Sequence, residues 1–180
     1  MPNWCEGNIR FRGKIDDILK LLRERFIFCK YNEGLETITQ PGKVVVDEDR
    51  YEIKLYCPFD EADKSWCYID GTHRNFINNF NNPEVVCSAE IVYESGVVEE
   101  DKRAIVVFNY FQSAWNIEPD PYVEMSKEYG VDIQIFGWER GNGFDQHIII
   151  EDGELILNKK RGCDRYFDWV WETEMPYMGG

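Results

Sequence analysis

The chain has 180 residues, with 34 acidic and 20 basic side chains and a formal net charge of −14. That balance argues against non-specific binding to nucleic acid or anionic membranes, which draws its affinity from Lys and Arg neutralising phosphates. It favours partners with basic surfaces, which an acidic field steers in. Aromatic residues make up 15% of the chain, 6 of them Trp, and a domain of this length buries enough surface to need no disulfide staple.

Residues 8–12 alternate polar and apolar, as a half-buried strand does, and Gly13 ends the run. From Ile15 the period changes: Ile15, Ile18, Leu19, Leu22 and Phe26 recur at helical spacing, with Asp16 and Asp17 early and Arg23 late. This predicts an amphipathic helix whose charges complement its dipole. Residues 27–60 are less regular, with a hairpin predicted from Lys43–Asp47 and Tyr51–Cys57 around a polar turn. Trp66–Ile69 reads as a short strand, and Thr72 as the cap of a short helix carrying Phe76, Ile77 and Phe80. Val85–Glu94 and Ala104–Phe111 read as strands. Asp120-Pro121 reads as a helix start with Asp as N-cap, Tyr122, Met125, Ser126 and Tyr129 as its buried face, and Gly130 as its stop. Val131–Trp138 and Phe144–Ile150 follow as strands around the turn Glu139–Gly143, and Asp152-Gly153 turns the chain into Leu155–Leu157.

The order strand, helix, insertion, strand, strand, helix, strand is that of the ferredoxin-like split βαβ fold. The expected class is therefore α+β, a single domain over 1–180 with an antiparallel sheet and helices on one face. An insertion falls at about 30–66, a C-terminal extension at about 159–180, and extra hairpins are inserted and appended.

Six cysteines occur without CxxC spacing, and His73 and His147 stand far apart. This is not the close pairing of a zinc site, so no metal and no cofactor is expected. The start Met1-Pro2-Asn3-Trp4 has no basic segment followed by an apolar run, and no stretch reaches the roughly 18 apolar residues of a membrane span. The expectation is a cytoplasmic protein with reduced thiols.

Three blocks carry a family resemblance. Pro2-Asn3-Trp4-Cys5-Glu6-Gly7 resembles the "PNWC" start of the YubB ferredoxin-like family of phages, plasmids and integrated elements. Tyr68 through Ile77 is similar to a "GTxRxFI" block in phage proteins with the same start. Phe111–Trp115, Pro119–Tyr129 and Phe136–Gly141 are similar to that family's second half. The resemblance implies a ferredoxin-like fold and a mobile-element origin, and with it the cytoplasm of a bacterial host cell, and it supplies no catalytic residue.

Asn3-Trp4-Cys5 reads as structural: Trp4 packs under the sheet and Cys5 is a small buried hydrophobe, since no cation or histidine stands by to lower its pKa. Gly71-Thr72-His73-Arg74 is a candidate anion site, with free N–H groups at a helix N-terminus, the Arg74 charge, and His73 as a base. Glu139–Gly143 lacks phosphate-loop spacing and reads as a hairpin turn; His147 reads as a cross-strand histidine. Asp164, Asp168 and Glu172 recur every four residues beside Trp169 and Trp171. As a helix, that stretch sets an acidic stripe beside aromatic anchors, the composition of a protein-binding edge.

No catalytic residue is assigned, and the expected function is non-enzymatic binding. The concrete form is an acidic inhibitor carried by a phage or mobile element, of anti-CRISPR type. Its partner would be a CRISPR-associated or other nucleic-acid-binding defence protein with a basic surface. The alternatives are a small-molecule or nucleotide-binding enzyme using Thr72, His73 and Arg74, and an oligomeric accessory protein that pairs edge strands as a homodimer.

Overall fold

The computed structural model describes residues 3–31, 36–60, 65–77, 87–95 and 102–162, apart from the side chains of 87–90. The chain runs β1 (Trp4–Lys14), α1 (Ile15–Arg25), β2 (Phe26–Tyr31), β3 (Thr37–Pro41), β4 (Lys43–Asp47), β5 (Glu52–Tyr56), β6 (Ser65–Ile69) and β7 (Asn75–Ile77). It continues with β8 (Cys87–Tyr93), β9 (Arg103–Ala114), α2 (Asp120–Tyr129), β10 (Asp132–Glu139), β11 (Phe144–Glu151) and β12 (Glu154–Gly162).

Alternation, interrupted at Gly7–Ile9 where three residues in a row are buried, makes β1 the spine of the molecule. Cys5, Ile9 and Phe11 are buried on one face, while Arg10 and Arg12 stand exposed on the other. A register shift between Gly7 and Ile9 marks a bulge against β9. Gly7 is required there, because a Cβ would come within 1.8 Å of the Phe136 carbonyl oxygen on β10.

All pairings are antiparallel, in the order β12-β11-β10-β1-β9-β7-β6-β2-β3. The sheet forks at β9. Its C-terminal half, Phe111–Ser113, pairs with β7, and its N-terminal half, Ala104–Val107, pairs with β8, which leads to β5 and β4. The ends of the two arms, β3 and β4, are consecutive in sequence and joined by Gly42 alone. The strands thus form a circuit from β9 through one arm, across Gly42, and back through the other. Gly42 sits tightly between the arms: a Cβ there would meet the Phe28 ring at 2.2 Å and the Tyr56 carbonyl oxygen at 3.0 Å.

The sheet also curls. β1 and β2 are four strand spacings apart, about 19 Å if the sheet were flat, yet the rings of Phe11 and Phe26 are 5.9 Å apart and those of Phe26 and Phe108 are 5.2 Å apart. Helix α1 fills the space inside the curl, burying Ile18, Leu19, Leu21 and Leu22 against β1, β2, β4 and β9. Helix α2 packs on β10, β11 and β12 through Tyr122, Met125, Ser126 and Tyr129, and ends at Gly130 in the left-handed conformation.

The ferredoxin-like α+β expectation is overturned. Among the described residues the protein is mostly β, with twelve strands and two helices of 11 and 10 residues. The split βαβ order would set β2 beside β9, but β6 and β7 stand between them, and β11 and β12 extend the sheet beyond β10. The two helices and the longer strands follow the expected order along the chain, but their lateral neighbours are set by pairings distant in sequence. The stretch 30–66, expected as an insertion, supplies β3, β4 and β5 to the same sheet, and residues 159–162 of the expected extension are the end of β12.

Candidate functional site

Strand alternation that aims aliphatic side chains into the core aims aromatic ones out along one arm of the sheet. On β6, Cys67 and Ile69 are buried while Trp66 and Tyr68 face outward, partly exposed. The register places Trp66 opposite Cys29, Tyr68 opposite Phe76, and Phe76 opposite Gln112. The outward side chains then meet across strands. Tyr31 and Trp66 have ring centroids 5.1 Å apart, Tyr68 and Phe76 5.7 Å, and Phe76 and Trp4 5.8 Å in an edge-to-face pair. The result is an aromatic ladder from β2 through β6 and β7 to the start of β1. Tyr31 is 60% exposed, and nearby Tyr110 and Trp115 are each 46% exposed.

Polar groups are fixed along the ladder. Gln112 Nε2 donates to Glu6 Oε1 at 2.7 Å, and the Tyr68 hydroxyl donates to the Thr72 carbonyl oxygen at 2.5 Å. Burial pushes the Tyr68 phenol up from its ordinary pKa, with the Asp70 carboxylate adding to the rise. Trp115 has a positive φ of 67°, and its N–H donates to the Asn3 carbonyl oxygen at 2.8 Å. The guanidinium of Arg74 lies over the Trp115 ring at 5.6 Å.

Thr72, His73 and Arg74 occupy the turn between β6 and β7, and no helix begins there. This corrects the expected Thr72 cap. The Thr72 hydroxyl donates backward to the Ile69 carbonyl oxygen at 2.6 Å, Gly71 and Arg74 take positive φ, and Phe76 and Ile77 continue as strand. The turn therefore lacks the helix N-terminus and dipole on which the expected anion site depends. His73 and Arg74 are exposed while Thr72 is buried. Asp164, Asp168, Trp169, Trp171 and Glu172 lie outside the described residues, as does Phe80.

Of the N-terminal motif, Cys5 is buried as expected, but Trp4 does not pack under the sheet: it stands half-buried on the outer face, on the side of β1 opposite Cys5. Trp4 packs against Phe76, and Cys5 is fully buried, its thiol pushed up to about 12 by burial and then by the nearby Glu139 carboxylate. Glu139 is buried and accepts the N–H groups of Gly141 and Asn142 at 2.7 and 2.5 Å, closing the turn between β10 and β11. His147 is a cross-strand partner, with its Nε2 2.9 Å from Gln134 Nε2 and its ring edge-to-face with Phe136. One cap shifts by a residue: Pro119, not Asp120, is the N-cap of α2, and no side chain bonds there.

No protein-family model matches the chain, and no curated protein or solved structure does. Among the described residues, no three or more His, Cys, Asp or Glu side chains are grouped to hold a metal ion, and no helix is long and apolar enough to cross a membrane.

The ladder was missed in the sequence. Its signal was present as outward alternation in short segments, Trp66 and Tyr68 above all, but the segments are up to 72 positions apart from Trp4 to Phe76. Only the strand order shows that they share a face.

Proposed function

We propose that the protein acts by binding a partner protein across the outer face of its sheet, with the aromatic ladder as the contact. The observation that carries this reading is the ladder itself: Tyr31, Trp66, Tyr68, Phe76 and Trp4 held in cross-strand contact and left partly exposed. Rigid aromatic groups on a strand scaffold lose little conformational freedom on binding, and such residues dominate interface energetics.

The partner has a basic surface. The chain carries a net charge of −14, and Glu6 lies alongside the ladder. Arginine and lysine from a partner gain from both features, through cation–π contact and ion pairing. The resemblance of Pro2–Gly7 to the YubB family supports a mobile-element setting. In that setting the partner is a nucleic-acid-handling defence protein of the host, and the mode of action is inhibition of anti-CRISPR type. The C-terminal Asp164, Asp168 and Glu172 with Trp169 and Trp171 form a second candidate contact for the same partner.

The test is crosslinking capture of the partner from host cells, followed by titration with purified variants. Trp66→Ala with Tyr31→Ala is expected to weaken binding at least tenfold while the thermal midpoint stays within a few degrees. Binding to the wild type is expected to fall with added salt. Unchanged affinity in the double variant removes the ladder from the interface. Unchanged affinity after charge reversal of Asp164, Asp168 and Glu172 removes the C-terminal contact.

A further inference from the structure

The other end of the outer face has a different chemistry. At the far end of β1 from Trp4, the register sets Arg12 between Ile105 of β9 and Asp132 of β10, with Val92 of β8 beyond Ile105. One step along, Arg10 stands between Val107 and Gln134, with Ile149 of β11 beyond. Two adjoining clefts of about 530 and 170 Å³ open here and share Arg12 and Ile105. Val92 is 56% exposed and Ile105 37%. Aliphatic side chains are thus left in water beside arginines, on a chain whose charge is otherwise strongly acidic.

Arg103, at the start of β9, lines the larger cleft with Arg12, and the three arginines are not equivalent. Arg12 is already satisfied: its Nε donates to Asp132 at 2.8 Å and its terminal nitrogen to Glu151 at 2.7 Å. Those two bonds raise its pKa further above the ordinary range. Arg10 makes one weaker bond, at 3.3 Å to the Gln134 side-chain oxygen. Arg103 is exposed and has no side-chain hydrogen bond or ion pair among the described residues. Two guanidinium groups with donors to spare therefore flank an aliphatic strip, and Arg12 shows the pairing that this face makes with carboxylates.

We propose that this groove is a second binding surface, which takes a short extended segment of a partner protein carrying carboxylates spaced by aliphatic side chains. The carboxylates engage Arg10 and Arg103, and the aliphatic groups cover Ile105 and Val92. The strip from β8 to β11 spans four strand spacings, about 19 Å, the length of about six extended residues. Nucleic acid is the poorer fit. It carries a charge on every nucleotide, and Asp132, Glu151 and Glu94 line the same clefts on a chain of net charge −14, so its repulsion far exceeds that of a segment with two carboxylates separated by neutral aliphatic groups. A guanidinium fork pairs with carboxylate and phosphate alike, and it is the exposed aliphatic strip of Val92 and Ile105 that favours the peptide. The surface lies at the opposite end of β1 from the ladder, so its test stands apart from that of the proposed function.

The experiment is selection of random displayed hexapeptides on the full-length protein, with the Arg10→Gln/Arg103→Gln variant as counter-target. The expected result is enrichment of sequences with two or more Asp or Glu alternating with Val, Ile, Leu or Phe. The synthetic peptides are expected to bind the double variant about tenfold or more weakly, the loss of a charged hydrogen bond being about that large. They are also expected to bind Trp66→Ala unchanged. Enriched peptides without acidic residues, or equal affinity for the double variant, overturn the proposal. So does octanoate or a single-stranded oligonucleotide that binds more tightly than the peptides with the same arginine dependence. A thermal melt of the double variant that matches wild type keeps the comparison free of misfolding.

Discussion

Cys5 shows how one position is decided by its surroundings. The sulfur sits where β1 meets β10, and a Cβ on Gly137 would come within 2.6 Å of it. Burial first, and the Glu139 carboxylate second, push the thiol up to about 12. The unfolded chain loses this proton above about pH 8.5, whereas the folded chain keeps it. Its contribution to stability is therefore complete below that pH and is lost as pH rises through about 12. Unfolding free energy measured by urea titration at successive pH values is expected to fall over this window, and the fall is expected to be shallower in Cys5→Ala. An identical slope in both proteins would sink this assignment. The same burial predicts that Cys5 stays unmodified by a thiol reagent at pH 8 in the native state.

At the scale of elements, one side chain anchors the connection that leads into α2. Gln146 is buried on the inner face of β11, where its Oε1 accepts the Ile117 N–H at 3.1 Å and its Nε2 donates to the Ile117 carbonyl oxygen at 2.9 Å. A second bond from Nε2 reaches Asn158 Oδ1 on β12 at 2.9 Å. Gln146 thus mimics a strand partner for a loop residue that has none. Removing it leaves a buried donor and a buried acceptor unpaired, each costing about 1–3 kcal/mol. Gln146→Ala is expected to lower unfolding free energy by about 2–4 kcal/mol in urea titration, and a loss below about 1 kcal/mol would show that water replaces both bonds. At the other end of the same helix, the Ser126 hydroxyl accepts the Gly153 N–H at 3.0 Å, tying α2 to the turn between β11 and β12.

For the whole molecule the decisive feature is the circuit closed at Gly42. Because β3 pairs with β2 and β4 pairs with β5, a perturbation at the junction strains both arms. Gly42→Val places atoms inside the Phe28 ring contact and is expected to destabilise by at least about 2 kcal/mol, as overpacking does. Native-state amide exchange is expected to rise together in β2 and β5 while β10 and β11 keep their protection. Faster exchange confined to the residues next to position 42 would show that the arms are independent.

The local elements needed no tertiary information. The change of period at Ile15, the charges at the two ends of α1, and the run Asp120-Pro121 to Gly130 placed both helices, because an amphipathic helix buries one stripe whatever it packs on. Alternation likewise placed β10 and β11. The short strands were harder. β2 runs straight on from α1 with no turn residue between them, and β3, which is exposed throughout, has no apolar pattern. β7 was read as helix because three residues cannot display a period. What the tertiary structure alone decided is which strands are neighbours. That choice inserted β6 and β7 between β9 and β2, joined two arms at Gly42, and brought Tyr31, Trp66, Tyr68, Phe76 and Trp4 onto one face. Composition and periodicity record which side of a strand is buried, but lateral pairing depends on contacts far apart in sequence, and a single chain carries no local mark of them.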